Sequence, residues 1–147
     1  MGWPCKGEWK PLLDYIAALM RESMSLRDLI TGEKSIQAFL NVCLGLSDLY
    51  ILHVERELNK GYADIVMEPF LARYESIKYA YLIEIKYVQA GMWAEDKRLM
   101  PIISAAEEQL KSYSMDPKFQ GNIKKVKLIK LVSIFSGHEI VYRGEVE

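Results

Sequence analysis

Residues 81–87 read Y-L-I-E-I-K-Y, an apolar, β-rich stretch with an acid and a base set two positions apart at its centre. In a β-strand, residues i and i+2 project from one face, so Glu84 and Lys86 point the same way as Leu82. Burying a charge is costly unless it is paired, hydrogen-bonded or held by a metal. Upstream, Y-A-D-I-V-M-E (62–68) reads as a strand ended by Pro69, which cannot donate to a ladder. Before it, Y-I-L-H-V-E-R-E (50–57) alternates like a strand and N-K-G (59–61) forms the turn between them. With the strand at 78–88 these segments make a three-strand meander. Downstream, residues 99–115 (L-M-P-I-I-S-A-A-E-E-Q-L-K-S-Y-S-M) carry a helical pattern, with Pro101 in the first turn where it is tolerated. After D-P-K-F-Q-G-N, the run K-K-V-K-L-I-K-L-V-S-I-F (124–135) is again a strand, and G-H-E-I-V-Y-R supplies a last one. A helix crossing between strands argues for a parallel pairing somewhere in the sheet.

The N-terminal part is helical. Residues 8–24 place Leu12, Ile16, Leu19 and Met20 at helical spacing, and a helix from Glu33 to about Gly45 turns Ile36, Phe39, Leu40 and Cys43 inward. Ser25 and Asp28 resemble a capping box for a short helix closed by Gly32. The expected fold class is α/β, a mixed central sheet flanked by helices. The 147 residues suit one domain (1–147), with an N-terminal helical segment at 1–30 and a core at 31–147.

Composition narrows the function. Half the residues are hydrophobic and 27% are charged, a globular profile, and the net charge of −1 gives no global basic field. No apolar run approaches the roughly 20 residues of a membrane span, and no signal-peptide pattern opens the chain. Cys5 and Cys43 form neither a disulfide framework nor a zinc spacing, so a reducing, cytoplasmic location is the default. His53 and His138 are read as structural.

If the second and third meander strands are neighbours, Asp64 and Glu84 converge on one face with Lys86 beside them. Two carboxylates plus backbone oxygens suit a hard cation such as Mg²⁺, and a lysine there can orient water or stabilise charge on a phosphoryl group. The competing reading is a neutralised Glu84–Lys86 pair with Asp64 near a turn. Gln109 and Tyr113 lie four apart on one helix face and offer neutral hydrogen bonds. They can equally be an exposed amide and a packing ring. Glu33 opens its helix near the buried face, where it can serve a site or simply complement the helix dipole.

An acid on a helix, an Asp on one strand, Glu-x-Lys on the next and Q-x-x-x-Y on a following helix together resemble the PD-(D/E)xK nuclease superfamily. Q-L-K-S-Y (109–113) is similar to an element of its RecB-type branch. G-E-K-S-I-Q-A-F-L, N-K-G-Y-A-D-I-V-M and Y-L-I-E-I-K-Y resemble the nuclease-like domain found C-terminal to predicted AAA-type ATPases in bacteria. The resemblance implies a restriction-endonuclease-like fold and metal-dependent hydrolysis of DNA, or of RNA, with Mg²⁺ or Mn²⁺. It implies that Asp64, Glu84 and the Ile85 carbonyl bind the metal and that Lys86 positions the attacking water. Glu33 takes the helix-borne acidic position, and Gln109 and Tyr113 the accessory one. Ala63 stands where the family pattern has proline. The implied partners are nucleic acid and an AAA-type ATPase in cis or trans, a homodimer is allowed, and no membrane is involved. The chain would then be a C-terminal piece of such a protein or a stand-alone version. The alternative is a non-catalytic module of this fold that binds nucleic acid or the ATPase.

Between 111 and 130 stand six lysines (Lys111, Lys118, Lys124, Lys125, Lys127, Lys130) against one acid, Asp116, a local balance of +5. They can track a nucleic-acid backbone or guard a strand edge against aggregation. Trp93 and the tyrosines offer either stacking faces or core.

Overall fold

The computed structural model describes residues 4–22, 30–45, 48–59, 61–89, 91–92 and 96–147. The expected capping box at Ser25 and Asp28, and Trp93, lie outside the described residues. Helix α1 (Trp9–Glu22) and α2 (Glu33–Leu44) precede β1 (Tyr50–Leu58), β2 (Gly61–Pro69) and β3 (Tyr79–Val88). Then come α3 (Leu99–Ser114), α4 (Pro117–Ile123), β4 (Lys127–Ser136) and β5 (Glu139–Val146). The strands form one five-stranded sheet in the order β1-β2-β3-β4-β5.

The meander is antiparallel, and β3 and β4 pair in parallel across the α3–α4 crossover, as the intervening helix requires. β5 then folds back antiparallel on β4. A sheet covered on both faces needs apolar residues on both, and β3 is correspondingly buried along almost its whole length. On one face α1 and α2 bury Leu12, Ile16, Met20, Ile36 and Leu40 against Ile65, Met67, Ile83 and Phe135. On the other, α3 and α4 bury Leu110 and Phe119 against Val66, Leu82, Val132 and Ile134.

Helix boundaries follow from local chemistry. At the start of α2 the Ser35 hydroxyl accepts the Gly32 and Thr31 N–H groups (3.1 and 2.9 Å), satisfying donors that the helix leaves free. The short α4 departs from expectation, since the sequence suggests only a connection there. Asp116 caps it by accepting the Phe119 N–H at 2.9 Å, with Pro117 at the first helical position. Among the described residues no helix is long and apolar enough to cross a membrane.

β4 is interior where it pairs with both β3 and β5, from Lys130 to Ser136, so Lys130 protects no edge, whereas Lys127–Ile129 pair with β3 alone and leave Lys127 beside an open edge.

Candidate active site at the β2–β3 fork

β3 pairs with β2 over only three rungs, Ile65–Ile83, Val66–Leu82 and Met67–Tyr81. The next rung would set Asp64 against Glu84, and it does not form. Instead the Ile85 N–H donates to Asp64 Oδ2 at 2.8 Å, a side chain taking the place of a ladder carbonyl. The cause lies one strand away. The β1–β2 ladder skips Glu55 and Asp64, between the Val54–Ile65 and Arg56–Ala63 pairs, and Glu55 adopts φ 55°. A non-glycine residue at positive φ bends the strand that carries it. The bend also changes faces: Ile65 and Met67 join the α1–α2 core, whereas Ala63 joins the α3–α4 core. In an unbroken strand all three would share one face.

The displaced hairpin tip is fastened to the α3–α4 corner. Asn59 donates its N–H to Asp116 Oδ2 and its Nδ2 to the Ser112 carbonyl, both at 2.9 Å. These backbone donors, Phe119 first and then Asn59, hold the Asp116 carboxyl below its usual range. Arg56 pairs with Glu68 and stacks over the Phe119 ring. Gly61 lies so close to Tyr113 that an added Cβ would sit 2.5 Å from Tyr113 Cε1.

The fork gathers the charges. Glu84 is 3% exposed; its Oε1 lies 3.4 Å from Lys86 Nζ, while no donor reaches its Oε2. Burial above all, and then the neighbouring Asp64, pushes the Glu84 carboxyl up to about 8, with Lys86 opposing. Glu33, at the solvent-exposed start of α2, has its carboxyl raised by desolvation and then by Asp64, and lowered by Lys86 and Lys34. It therefore stands at the mouth of the same site. Tyr113 is buried, and its hydroxyl is raised by that burial and by Glu84 and Asp64. Gln109, one helical turn earlier, is partly buried with an Oε1 that no donor reaches.

One member lies outside the set expected from sequence. Gln37 is 6% exposed, and its Nε2 lies 3.3 Å from the Asp64 carbonyl and 3.4 Å from Asp64 Oδ1. It fixes Asp64 from the α2 side, as Ile85 does from β3. The available signal is its position four residues after Glu33, one turn along the same helix face.

The donor set is that of hard oxygens. Burial and the neighbouring Asp64 disfavour a charge on Glu84, and its unpartnered buried Oε2 is the kind of atom that a divalent cation would satisfy. Among the described residues no three His, Cys, Asp or Glu side chains form a group able to hold a metal ion. The lysine-rich segment does not line the fork. Lys127 pairs with Tyr79 at the start of the β3–β4 ladder, whereas Glu84 and Lys86 stand opposite Val132 and Ile134. Tyr62 is exposed, while Tyr50, Tyr81 and Tyr113 are core.

No curated protein and no solved structure matches the chain. A family model for the PD-(D/E)XK nuclease superfamily matches residues 31–145, a span that contains Glu33, Gln37, the Asp64–Glu84–Lys86 fork and Tyr113. With most of its length matched, the chain belongs to the PD-(D/E)XK nuclease superfamily.

Proposed function

We propose that the chain is a metal-dependent nuclease that hydrolyses phosphodiester bonds of DNA, with Mg²⁺ or Mn²⁺ as its cofactor. The observation that carries this reading is the fork itself: two carboxylates from neighbouring strands, one with a buried unpartnered oxygen, beside one lysine. Asp64 and Glu84 would hold the cation. The N–H and C=O of one strand residue point to the same side, so the Ile85 carbonyl turns with its N–H toward the open fork as a third oxygen. A bound divalent ion supplies positive charge to the phosphoryl oxygens and acidifies an attacking water.

This chain's own residues set the rest. Gln37 and the Ile85 N–H fix Asp64 in one orientation, so little reorganisation is needed when substrate arrives. Lys86, about three-quarters buried and tethered to Glu84, presents donors that orient the attacking water and stabilise negative charge developing on the phosphate. Tyr113 and Gln109 offer neutral hydrogen bonds from the α3 side, and Glu33 adds a carboxyl at the mouth.

The test is a cleavage panel of single-stranded, duplex and branched DNA and RNA, with and without Mg²⁺ or Mn²⁺. The proposal expects divalent-dependent cleavage that is lost in Asp64→Asn and Lys86→Ala while circular dichroism stays unchanged. Equal residual cleavage in those variants would trace the activity to a contaminant. Binding without cleavage under every condition would leave a non-catalytic module.

A further inference from the structure

We infer that the α4–β4 corner is a second contact surface for the substrate, a lysine track that grips the phosphodiester backbone on one side of the cleavage site. The inference rests on the nuclease reading above. Lys118 and Lys124 are exposed and Lys130 is partly so, and among the described residues none of them makes an ion pair. Residues 117–130 contain no acid. The nearest in sequence, Asp116, has its carboxylate committed to the Phe119 and Asn59 N–H groups. Like charges kept this close and unpaired repel one another, and a polyanion relieves that repulsion.

The placement gives the track a direction. A groove of about 450 Å³ runs past Ser114, Gln120, Ile123, Val126 and Leu128, with Lys124 and Lys130 on its rim. Gln120 Nε2 is committed to the Ser114 carbonyl at 2.9 Å, so the lysines carry the groove's free donors. Lys130 pairs with Leu82 and therefore shares the sheet face of Glu84 and Lys86. The C-terminal end of α3 stands between, with Tyr113 on the fork side and Ser114 on the groove side. From Val132, opposite Glu84, back to the corner at the start of β4 is five strand residues, about 17 Å at roughly 3.3 Å each; Lys127 itself faces the other side of the sheet, and Lys125 lines a separate hollow with Glu75. At about 3.4 Å per base pair along one strand, that distance is roughly five base pairs. The track thus lies one half-turn of duplex from the scissile phosphate, on one side only. An acidic protein or an anionic membrane would also be attracted, but neither explains a basic groove set off from the fork with Lys130 on the fork's own sheet face.

The experiment measures binding in EDTA, where no strand is cut, to fluorescent DNA hairpins with duplex stems from about 4 to about 24 base pairs, and compares the parent with Lys124→Ala/Lys130→Ala. For the parent, affinity should step upward once the duplex is long enough to reach from the fork to the corner. In the variant the step should flatten. The slope of log K against log salt on the long duplex should fall by about 1 per lysine removed, while the shortest duplexes bind both proteins alike. Equal losses at every length, or none at any length, would overturn the track. Capture by phosphatidylserine vesicles that depends on these lysines, with DNA binding unaffected by them, would overturn it in favour of a membrane contact. A parent that binds and cuts DNA with no lysine dependence refutes the track alone. Lysine-dependent binding without cleavage in Mg²⁺ refutes catalysis and leaves the track standing.

Discussion

β3 has two sides, and they differ sharply. Toward β4 it pairs along its full length, from Tyr79–Lys127 to Val88–Ser136. Toward β2 it pairs over three rungs and then parts at Asp64. The long ladder closes the core; the short one leaves strand ends, a side chain and a lysine facing a gap. A strand fully paired on both sides would have no room for a ligand between Asp64 and Glu84. The fold thus separates the residues that hold it together from those proposed to act, and that separation can be tested.

The largest effect is expected on the long-ladder side. Phe135, fully buried on β4, should cost about 3–5 kcal/mol when replaced by alanine, through lost transfer energy and the cavity left behind. Thermal denaturation reads this as a drop of roughly 2–4 °C per kcal/mol for a chain of this size. At the fork the pattern should invert. Lys86→Ala should lower cleavage by about 10²–10³-fold, as loss of one preorganised donor commonly does, while moving the melting temperature little. A large loss of stability in Lys86→Ala would erase the contrast between the two sides.

Next in size is a pH effect. Glu84 titrates near 8 in the folded chain against an unfolded value near 4.5, so the folded state binds the extra proton between those limits. Metal-free stability should therefore fall as pH rises from about 4.5 to about 8, by an amount on the order of a few kcal/mol at most. Glu84→Gln should flatten this profile, which urea denaturation across the pH range would show. Cation binding needs the ionised carboxylate, so divalent affinity should rise over the same window. The smallest effect is expected at Gly61→Ala. The new Cβ would push the Tyr113 ring away, with a cost near 1 kcal/mol and a modest loss of cleavage. In a double-mutant cycle, Gly61→Ala should cost little once Tyr113→Ala has already removed the ring.

Much of this is legible in the sequence because it depends on local periodicity. The alternation in 50–57 and 62–68, the turn between them and the helical run before K-K-V-K-L-I-K-L-V dictate a meander, a crossover and a parallel pair. Asp64, Glu84 and Lys86 can be grouped because strand parity and neighbour order suffice. The fork cannot be foreseen, since it depends on Glu55 in β1 adopting positive φ and flipping the parity of β2 at Asp64. Nothing in Y-A-D-I-V-M-E signals that flip. Gln37 escapes notice because a glutamine on an apolar helix face reads as neutral until its acceptor, 27 residues away, is known. Asp116-Pro117 is ambiguous between a turn and a helix start, and Gly121 and Asn122 tilt it toward a loop. The lysines of β4 divide between the two readings, Lys127 at an open edge and Lys130 inside the sheet, because strand position in a sheet is a property of topology.

Asp64 and Glu84, as one cation site at the end of the short ladder, can be checked in a crystal soaked in Mn²⁺. Anomalous density is expected between the two carboxylates, within bonding distance of the Ile85 carbonyl, and none in crystals of Asp64→Asn. Density elsewhere on the molecule, or an unchanged peak in Asp64→Asn, would contradict it.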